Sequence, residues 1–577
     1  MIALFVKTTK VKGYEYDKLV ESYWENGKSK HRVLYNFGRA DLIKMDKGFI
    51  NVVKRLCEIA ELPLNNSDTE DNPLLDCSEA TFYNYGYLAY LKLWEKLGIQ
   101  ETVEDQACGY KLEYPLAETV FLMAVQHLLE PRSKLSTYMH QKRYFNMQEI
   151  PLHHMYRALD VLSKRKENIE SELFEYNYVR ANKNVDVVFY DVTTFAFEST
   201  DADELRDFGY SKACKFNEVQ VVMGMIIDSD GLPVGYELFP GNTFDGKTML
   251  KALENIQKRF GIDRVIIVAD RGLNSKGNLN SIKNAGYGYI MSSKIKSMGK
   301  TMQAKILDTA AFTVVNDSSG NEDFRYKTMA YDNTFKDEDG KRHSLPENLV
   351  VTYSPRRAKK DKMDRERLVE KANKLLEDPE KIKASNKRGG KKYIDQIDSE
   401  SPATWKLATE KIELDAKFDG YYGIQTSEKN MTAADIIEAY HTLWKIEMSF
   451  RIMKSTMEVR PIFHWKPKRI EGHFVVCFLA FLMERTLELM INDVNDEIIS
   501  SPQRIQEALN TMQLAAVSTK EEELFIKAKT DPLCNKIFKL LKIDLPSNVS
   551  TKQTLIARLK LDECREPLQM AFFDPKM

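Results

Sequence analysis

Asp191 and Asp270 are the side chains of this sequence whose positions most need a chemical explanation. Asp191 comes near the end of Val185-Asp186-Val187-Val188-Phe189-Tyr190-Asp191-Val192-Thr193-Thr194, a run rich in β-branched and aromatic residues that reads as a buried strand. Asp270 closes a similar run, Arg264-Val265-Ile266-Ile267-Val268-Ala269-Asp270, just before Arg271-Gly272. A carboxylate beside buried Phe and Val is costly unless it is paired or coordinates a cation. Two such strands side by side place two carboxylates at one sheet edge, where a hard divalent cation takes oxygen ligands. Either aspartate alone reads equally well as a turn or cap residue after a strand. The pair needs a third member.

Glu447 supplies it. The spacing predicts a helix from Ala433 to about Val459, with Leu443, Ile446, Phe450, Met453 and Met457 stepping by 3, 4, 3 and 4 along one apolar stripe. Tyr440, Glu447 and Lys454 recur every seven residues on a neighbouring stripe, so Glu447 borders the buried face and looks toward the sheet edge. Taken singly, Glu447 is half of an i,i+4 pair with Arg451 worth a few tenths of a kcal/mol. Taken with the aspartates, it completes a strand–strand–helix carboxylate triad. Such a triad suits phosphodiester chemistry, in which two Mg²⁺ or Mn²⁺ ions about 3.5–4 Å apart activate a water or a 3′-hydroxyl and stabilise the departing oxygen. The metal charge keeps all three carboxylates ionised. Lys454, about two turns beyond Glu447, offers a cation to a DNA phosphate.

The elements that must position these residues follow from the rest of the chain. Its 577 residues allow several domains, and a formal charge of −1 gives no global field for nucleic acid, so any basic surface is local. Seven scattered cysteines without a CxxC pair exclude a zinc ribbon and fit reduced thiols in a cytoplasm. The apolar start is too short for a signal peptide, and the run Phe474 to Met483 is too short to span a bilayer, so a cytoplasmic protein is expected.

Residues 1–62 read as a β-hairpin around Glu25-Asn26-Gly27-Lys28 plus a helix from Lys44 to Glu61, followed by an acidic linker from Asn65 to Pro73. Residues 80–182 read as helical (Tyr83–Leu97, Leu112–Leu129, Lys134–Phe145, Met155–Tyr176). Arg132, Lys134, Lys142 and Arg143 there gather near Tyr138 and Tyr144, as either a DNA-contacting or a solvated face. Residues 183–297 follow the order strand, strand, strand, helix, strand, helix, strand, which resembles ribonuclease H-like folds and, with 419–500, makes a mixed α/β core. Residues 298–418 read as a β-rich inserted domain with strands at Phe312–Val315, Phe324–Ala330, Leu349–Tyr353 and Leu407–Leu414. Its strip Pro355–Lys392 carries 15 Lys/Arg against 7 Asp/Glu. Residues 501–577 are expected to be helical.

Tyr440, Glu447 and Lys454 stand at the spacing Y-x2-R-x3-E-x6-K, and the run Tyr440 to Ser455 is similar to the third motif of bacterial insertion-sequence transposases of the DDE class. Tyr190-Asp191-Val192-Thr193-Thr194 resembles the first motif of that family and Ala269-Asp270-Arg271-Gly272 the second. Phe208-Gly209-Tyr210-Ser211-Lys212, the segment from Leu232 to Thr248, and Asn36-Phe37-Gly38-Arg39 resemble it too. The resemblance implies metal-dependent cleavage of double-stranded DNA at terminal inverted repeats and strand transfer into target DNA, by a homodimer, with Asp191, Asp270 and Glu447 as catalytic metal ligands. It also implies DNA contacts from Tyr440 and Lys454. The signature arginine position is Leu443, so Lys445 or Arg451 is expected to take its phosphate contact. Related transposases that pass through a DNA hairpin hold a flipped base on an aromatic residue of their insertion domain. Trp405 is the candidate for that role here, with a core anchor as its other reading.

Two other functions are open to the sequence. Gly241-Asn242-Thr243-Phe244-Asp245-Gly246-Lys247-Thr248 fits the phosphate-binding loop of a P-loop ATPase. Against it stand Pro240, which lacks an N–H, and Asp245, a negative charge inside a phosphate cradle. A catalytically inactive DNA-binding protein derived from a transposase is the other; its expected mark, a lost carboxylate, is absent.

Overall fold

A computed structural model of the chain describes residues 3–559 apart from 12, 26–27, 44–45, 60–80, 109, 111, 210–216, 244, 263–264, 337–340, 379–381, 383–388, 399–403, 461, 494–499 and 519–521. The acidic linker and most of the Phe208–Lys212 motif therefore lie outside the described residues.

The centre is a nine-stranded mixed sheet. Val187–Ala196 sits in its interior, flanked by Gln220–Ile227 on one side and Ile266–Ala269 on the other. Gln220–Ile227 runs antiparallel to it and pairs in turn with Pro233–Pro240 at the sheet edge. Ile266–Ala269 runs parallel to it and to the next strand, Gly288–Ser292. In chain order these five strands stand 3-2-1-4-5, with helices Asp245–Phe260 and Lys276–Asn284 making the crossovers that parallel pairing demands.

The sheet does not stop there. Tyr421–Thr426 pairs antiparallel with Gly288–Ser292, and Arg342–Tyr353, Glu322–Lys336 and Thr313–Asn316 follow in turn. The first strands of the expected insertion at 298–418 thus extend the main sheet rather than standing apart, covering an edge that would otherwise be left open. Separate small cores form around Ile306, Leu349, Val351 and Phe418, and around Ala372, Tyr393 and Ile394, the second between helix Pro355–Leu376 and the Ile394–Asp398/Thr404–Leu407 hairpin. The strand expected at Leu407–Leu414 is the end of that hairpin followed by a helix, Thr409–Ala416.

One face of the sheet is packed by helices gathered round Pro467–Asp493. This 27-residue helix is buried almost continuously from Ile470 to Leu487, as a helix apolar on all sides must be. Helices Leu116–Leu129 and Leu152–Phe174 pack along it. Gly472 permits the closest approach, because a Cβ there would stand 2.1 Å from the Leu159 carbonyl oxygen. Glu484 on the same helix is buried, and Tyr90 donates its hydroxyl to Oε2 at 2.5 Å.

Two expectations are corrected at the periphery. The 501–577 region is not wholly helical: Gln513–Ser518, Glu523–Lys527 and Val549–Thr551 pair with Thr81–Asn84 in a four-stranded antiparallel sheet. Apolar runs of five or six residues do not separate strand from helix by periodicity alone. The N-terminal region is a three-stranded antiparallel sheet, Ala3–Val11, Tyr14–Glu25 and Lys28–Arg39, followed by helix Lys47–Ile59. Glu25 pairs with Lys28 across the expected hairpin turn, and Asn26 and Gly27 themselves lie outside the described residues. Among the described residues no helix is long and apolar enough to cross a membrane.

Two outcomes test this packing. Gly472→Ala is expected to lower stability by about 1–3 kcal/mol, read from the denaturant midpoint, because backbone has to move to admit one methyl. Burial pushes the Glu484 carboxyl up to about 8, against about 4.3 in an unfolded chain. Its contribution is therefore fully present below the unfolded value and is lost as pH rises toward 8. Glu484→Gln should flatten the decline in urea midpoint over that window.

Candidate active site

The parallel pairing sets the site. Tyr190 stands opposite Ala269 as the last paired residues of Val187–Ala196 and Ile266–Ala269, so Asp191 and Asp270 each follow by one residue on neighbouring strands. Alternation along a strand puts both on the same face. On the Asp191 strand that face carries Phe189 and Phe195, which share a core with Ile446, Phe450 and Met453. Val188, Tyr190 and Val192 point into the core on the other side. Asp191 is half-buried and Asp270 exposed.

The glutamate segment covers this face, but not as one helix. It folds as Ala433–His441 and Trp444–Ser455 with a break at Thr442 and Leu443. There the backbone tightens, with Leu443 N–H donating to the Tyr440 carbonyl and Ile446 N–H to that of Leu443, three residues back. The Thr442 hydroxyl donates to the Glu438 carbonyl at 2.9 Å, a contact that bends helices. The expected apolar stripe is intact across the break: Leu443, Ile446, Phe450, Met453 and Met457 are all buried. Leu443, at the position where the motif has arginine, is a core residue with nothing to offer a phosphate.

Tyr440 and Lys454 touch the sheet on either side of Asp191. Tyr440 donates its hydroxyl to Asp270 Oδ1 at 3.3 Å and lies 2.6 Å from the Tyr422 hydroxyl. Tyr422 in turn donates to Ser292 Oγ at 2.6 Å. Burial, then the neighbouring Tyr422 hydroxyl, pushes the Tyr440 phenol far up, so it stays a donor to the carboxylate. Lys454 hydrogen-bonds the Thr193 hydroxyl, on the Asp191 face, and its ammonium sits 5.3 Å from the centre of the Phe195 ring. Glu447, exposed and seven residues from each, stands between these two anchors. Among the described residues no ion pair joins Glu447 to Arg451, so the simple helix-surface pairing is not made; Arg451 is exposed.

Other expected contacts are used elsewhere. Lys445 donates to the Ser229 carbonyl at 2.7 Å, on the Asp228–Gly231 turn, and is half-buried. Trp405 packs half-buried against the small insertion core with Leu407 and Ile412. In the basic cluster at 132–143, Lys142 and Tyr138 are exposed. Lys134 and Tyr144 are buried, and Arg132 and Arg143 both pair with Glu130. Sequence spacing alone does not show that Glu130 turns inward among them.

The structure adds residues that the sequence reading missed. A cavity of about 270 Å³ beside the site is lined by Arg271, Lys296, Arg357 and Tyr422, so the basic insertion strip reaches the Asp270 end of the sheet. The Arg357 guanidinium lies 4.3 Å from the Tyr422 ring centre. Trp444, Phe463 and Trp465 are more than half exposed, and Arg206 holds Trp465 by stacking at 5.5 Å and by donating to its carbonyl. The visible signal was the aromatic pair Phe463 and Trp465 followed by Lys466, Lys468 and Arg469.

The P-loop reading does not survive the topology. Pro233–Pro240, the strand that leads into Gly241, is an antiparallel edge strand. Gly241 is packed so tightly that a Cβ would meet the Gln220 carbonyl oxygen at 2.0 Å, and Thr248 is buried. A phosphate cradle needs its backbone N–H groups open to the ligand.

A mixed sheet that presents two aspartates to a glutamate-bearing helix defines a class of polynucleotidyl transferase. Residues 184–483, more than half of the chain, match the transposase DDE domain, and the chain belongs to that family. Residues 4–63 match the N-terminal domain of IS1634 family transposases, so this is an insertion-sequence transposase. No curated protein matches the chain. Among solved structures it is similar to a piggyBac transposase in a synaptic complex with hairpin DNA, at 8% identity and a TM-score of 0.32 over 74% of this chain and 80% of that one. That likeness is too remote to carry residue roles.

Two substitutions read the geometry. Tyr440→Phe keeps the ring and removes the bond to Asp270; it is expected to slow DNA cleavage about tenfold, the worth of roughly one charge-assisted hydrogen bond, with an unchanged thermal midpoint. Lys454→Ala is expected to lower the salt slope of end binding by about one unit, as for one lost phosphate contact.

Proposed function

We propose that Asp191, Asp270 and Glu447 are the catalytic carboxylates of a ribonuclease H-like core that cuts double-stranded DNA at the transposon's terminal inverted repeats and joins the freed ends to target DNA. The observation that carries this reading is the in-register pairing of Tyr190 with Ala269, which sets Asp191 and Asp270 side by side on the face covered by the Glu447 helix. The 3-2-1-4-5 strand order, antiparallel then parallel, supports the ribonuclease H-like assignment.

Transposases of this family work with divalent metal ions, and the donor set here, three carboxylates without soft ligands, fits Mg²⁺ or Mn²⁺. When bound, the ions supply a nucleophile at neutral pH and stabilise the leaving oxygen of an in-line displacement.

The chain's own residues do the rest. Asp191 and Asp270 are held by the sheet, and Tyr440 fixes the Asp270 rotamer from the far side. Lys454 presents a cation next to the triad, while Arg451 and the Arg271–Arg357 edge face the backbone of the entering strand. The terminal repeats and target DNA are the partners, and a homodimer lets one assembly hold both transposon ends.

Asp191→Asn, Asp270→Asn and Glu447→Gln are each expected to abolish end cleavage and strand transfer while end binding stays measurable by mobility shift. Cleavage should require Mg²⁺ or Mn²⁺ and fail with Ca²⁺, whose looser coordination supports in-line displacement poorly. Normal cutting by Glu447→Gln removes that residue from the site, and cutting in the presence of chelator removes the mechanism.

A further inference from the structure

The register that aligns the two aspartates continues across the next strand. Ala269 pairs with Met291, so Ser292 stands level with Asp270 and on the same face. Ser292 is held twice. Tyr422 donates to its hydroxyl at 2.6 Å, and Asn274 donates to its carbonyl at 2.7 Å. Asn274 also closes the turn that begins at Asp270: its N–H donates to the Arg271 carbonyl at 3.3 Å, and the Leu273 N–H donates to that of Asp270 at 3.1 Å. The Asn274 side chain thus ties the Asp270 turn to the strand beside it.

What orients Asn274 comes from farther across the sheet. Its amide also donates to Gln425 Oε1 at 2.9 Å, and Gln425 Nε2 donates to Glu347 Oε2 at 3.1 Å. Gln425 lies on Tyr421–Thr426 and Glu347 on Arg342–Tyr353, the two strands that follow Gly288–Ser292 in the sheet. Glu347 is 4% exposed and accepts as well from Tyr289 and Asn333. Burial pushes its carboxyl up, and the three donors oppose that by favouring the charged form. A carboxylate only accepts, so Gln425 has to turn its amide N–H₂ toward Glu347 and its oxygen toward Asn274. Asn274 then directs one N–H to that oxygen and the other to the Ser292 carbonyl. Reversing any one amide would set donor against donor. Gln425 pairs with Met291 and so points to the face opposite the aspartates. Glu347 therefore acts on Asp270 through Gln425 and Asn274.

We propose that Glu347, Gln425 and Asn274 are positioning residues for DNA cleavage, an oriented chain of hydrogen bonds by which a strand of the inserted segment 298–418 fixes the turn behind Asp270. The proposal rests on Asp270 being a catalytic carboxylate. A catalytic group has to be held within about 0.5 Å of its productive position. Asp270 is exposed, so side-chain packing does not do this. Tyr440 holds its carboxylate, and the Glu347 chain holds the backbone that follows it. The insertion thereby takes part in the reaction without touching DNA.

The test uses the full-length chain and DNA carrying one transposon end. Asn274→Ala and Gln425→Glu are each expected to slow single-turnover cleavage by about tenfold, the worth of one lost charge-assisted bond. The Mg²⁺ concentration for half-maximal cutting should rise severalfold, while end binding by mobility shift stays unchanged. The exchange Glu347→Gln with Gln425→Glu restores the order of donors, because the amide at 347 can donate to the carboxylate at 425, which again accepts from Asn274. This double variant should recover most of the rate that Gln425→Glu loses. Should Gln425→Glu fail to fold, Asn274→Ala decides by its rate and metal requirement. Folded single variants that cut at the wild-type rate with the wild-type Mg²⁺ requirement overturn the proposal, and so does a double variant no faster than Gln425→Glu. Asp270→Asn run alongside separates the two readings. If it is inactive while Asn274→Ala cuts normally, only the positioning chain fails, whereas normal cutting by Asp270→Asn removes the carboxylate assignment itself.

Discussion

A carboxylate that follows a buried apolar strand has to stay at the sheet edge, within reach of solvent or a cation, and this chain does that twice on adjacent strands, with Asp191 half-buried and Asp270 exposed. The parallel register of Tyr190 with Ala269 brings Asp191 and Asp270 to the same level on the same face. A slip of one residue would send one of them into the opposite core with Tyr190 and Val192. Much of the architecture can be understood as holding that register. The antiparallel Gln220–Ile227 strand braces one side, the Gly288–Ser292 strand the other, and helices seal both faces.

The glutamate arrives by a different logic. Its helix is held by apolar burial from Leu443 to Met457, while Tyr440 and Lys454 reach down from the edge of that stripe to Asp270 and Thr193. The break at Thr442 and Leu443 lets the two halves tilt independently, so Tyr440 can join the Ser292–Tyr422 hydroxyl chain without pulling Ile446 or Phe450 out of the core. Leu443 in the arginine position fits this arrangement: at the break a long charged side chain would have to be buried, whereas leucine packs. Arg271 and Arg357 line the neighbouring cavity.

Several basic groups expected on a nucleic-acid surface also make contacts within the fold. Arg132 and Arg143 pair with Glu130, Lys134 is buried against His127, and Lys445 ties the glutamate helix to the Asp228–Gly231 turn. Burial lowers the Lys445 ammonium's affinity for its proton despite Asp230 and Asp228 nearby. Basic residues on a helical stretch reveal charge, not the direction in which it points.

The sequence by itself determined the strands and the heptad stripe, because burial imposes a period of two or of three to four residues that composition displays directly. It therefore pointed to the mixed sheet and the family, with Asp191, Asp270 and Glu447 as the candidate set. It did not determine where the inserted strands pair, since Glu322–Lys336 and Arg342–Tyr353 have the same alternation whether they build a separate domain or extend the main sheet. Nor did it show the Tyr422–Tyr440–Asp270 chain or the meeting of Lys454 with Thr193. Each joins residues from separate segments, and only tertiary packing decides which distant side chains share one buried volume.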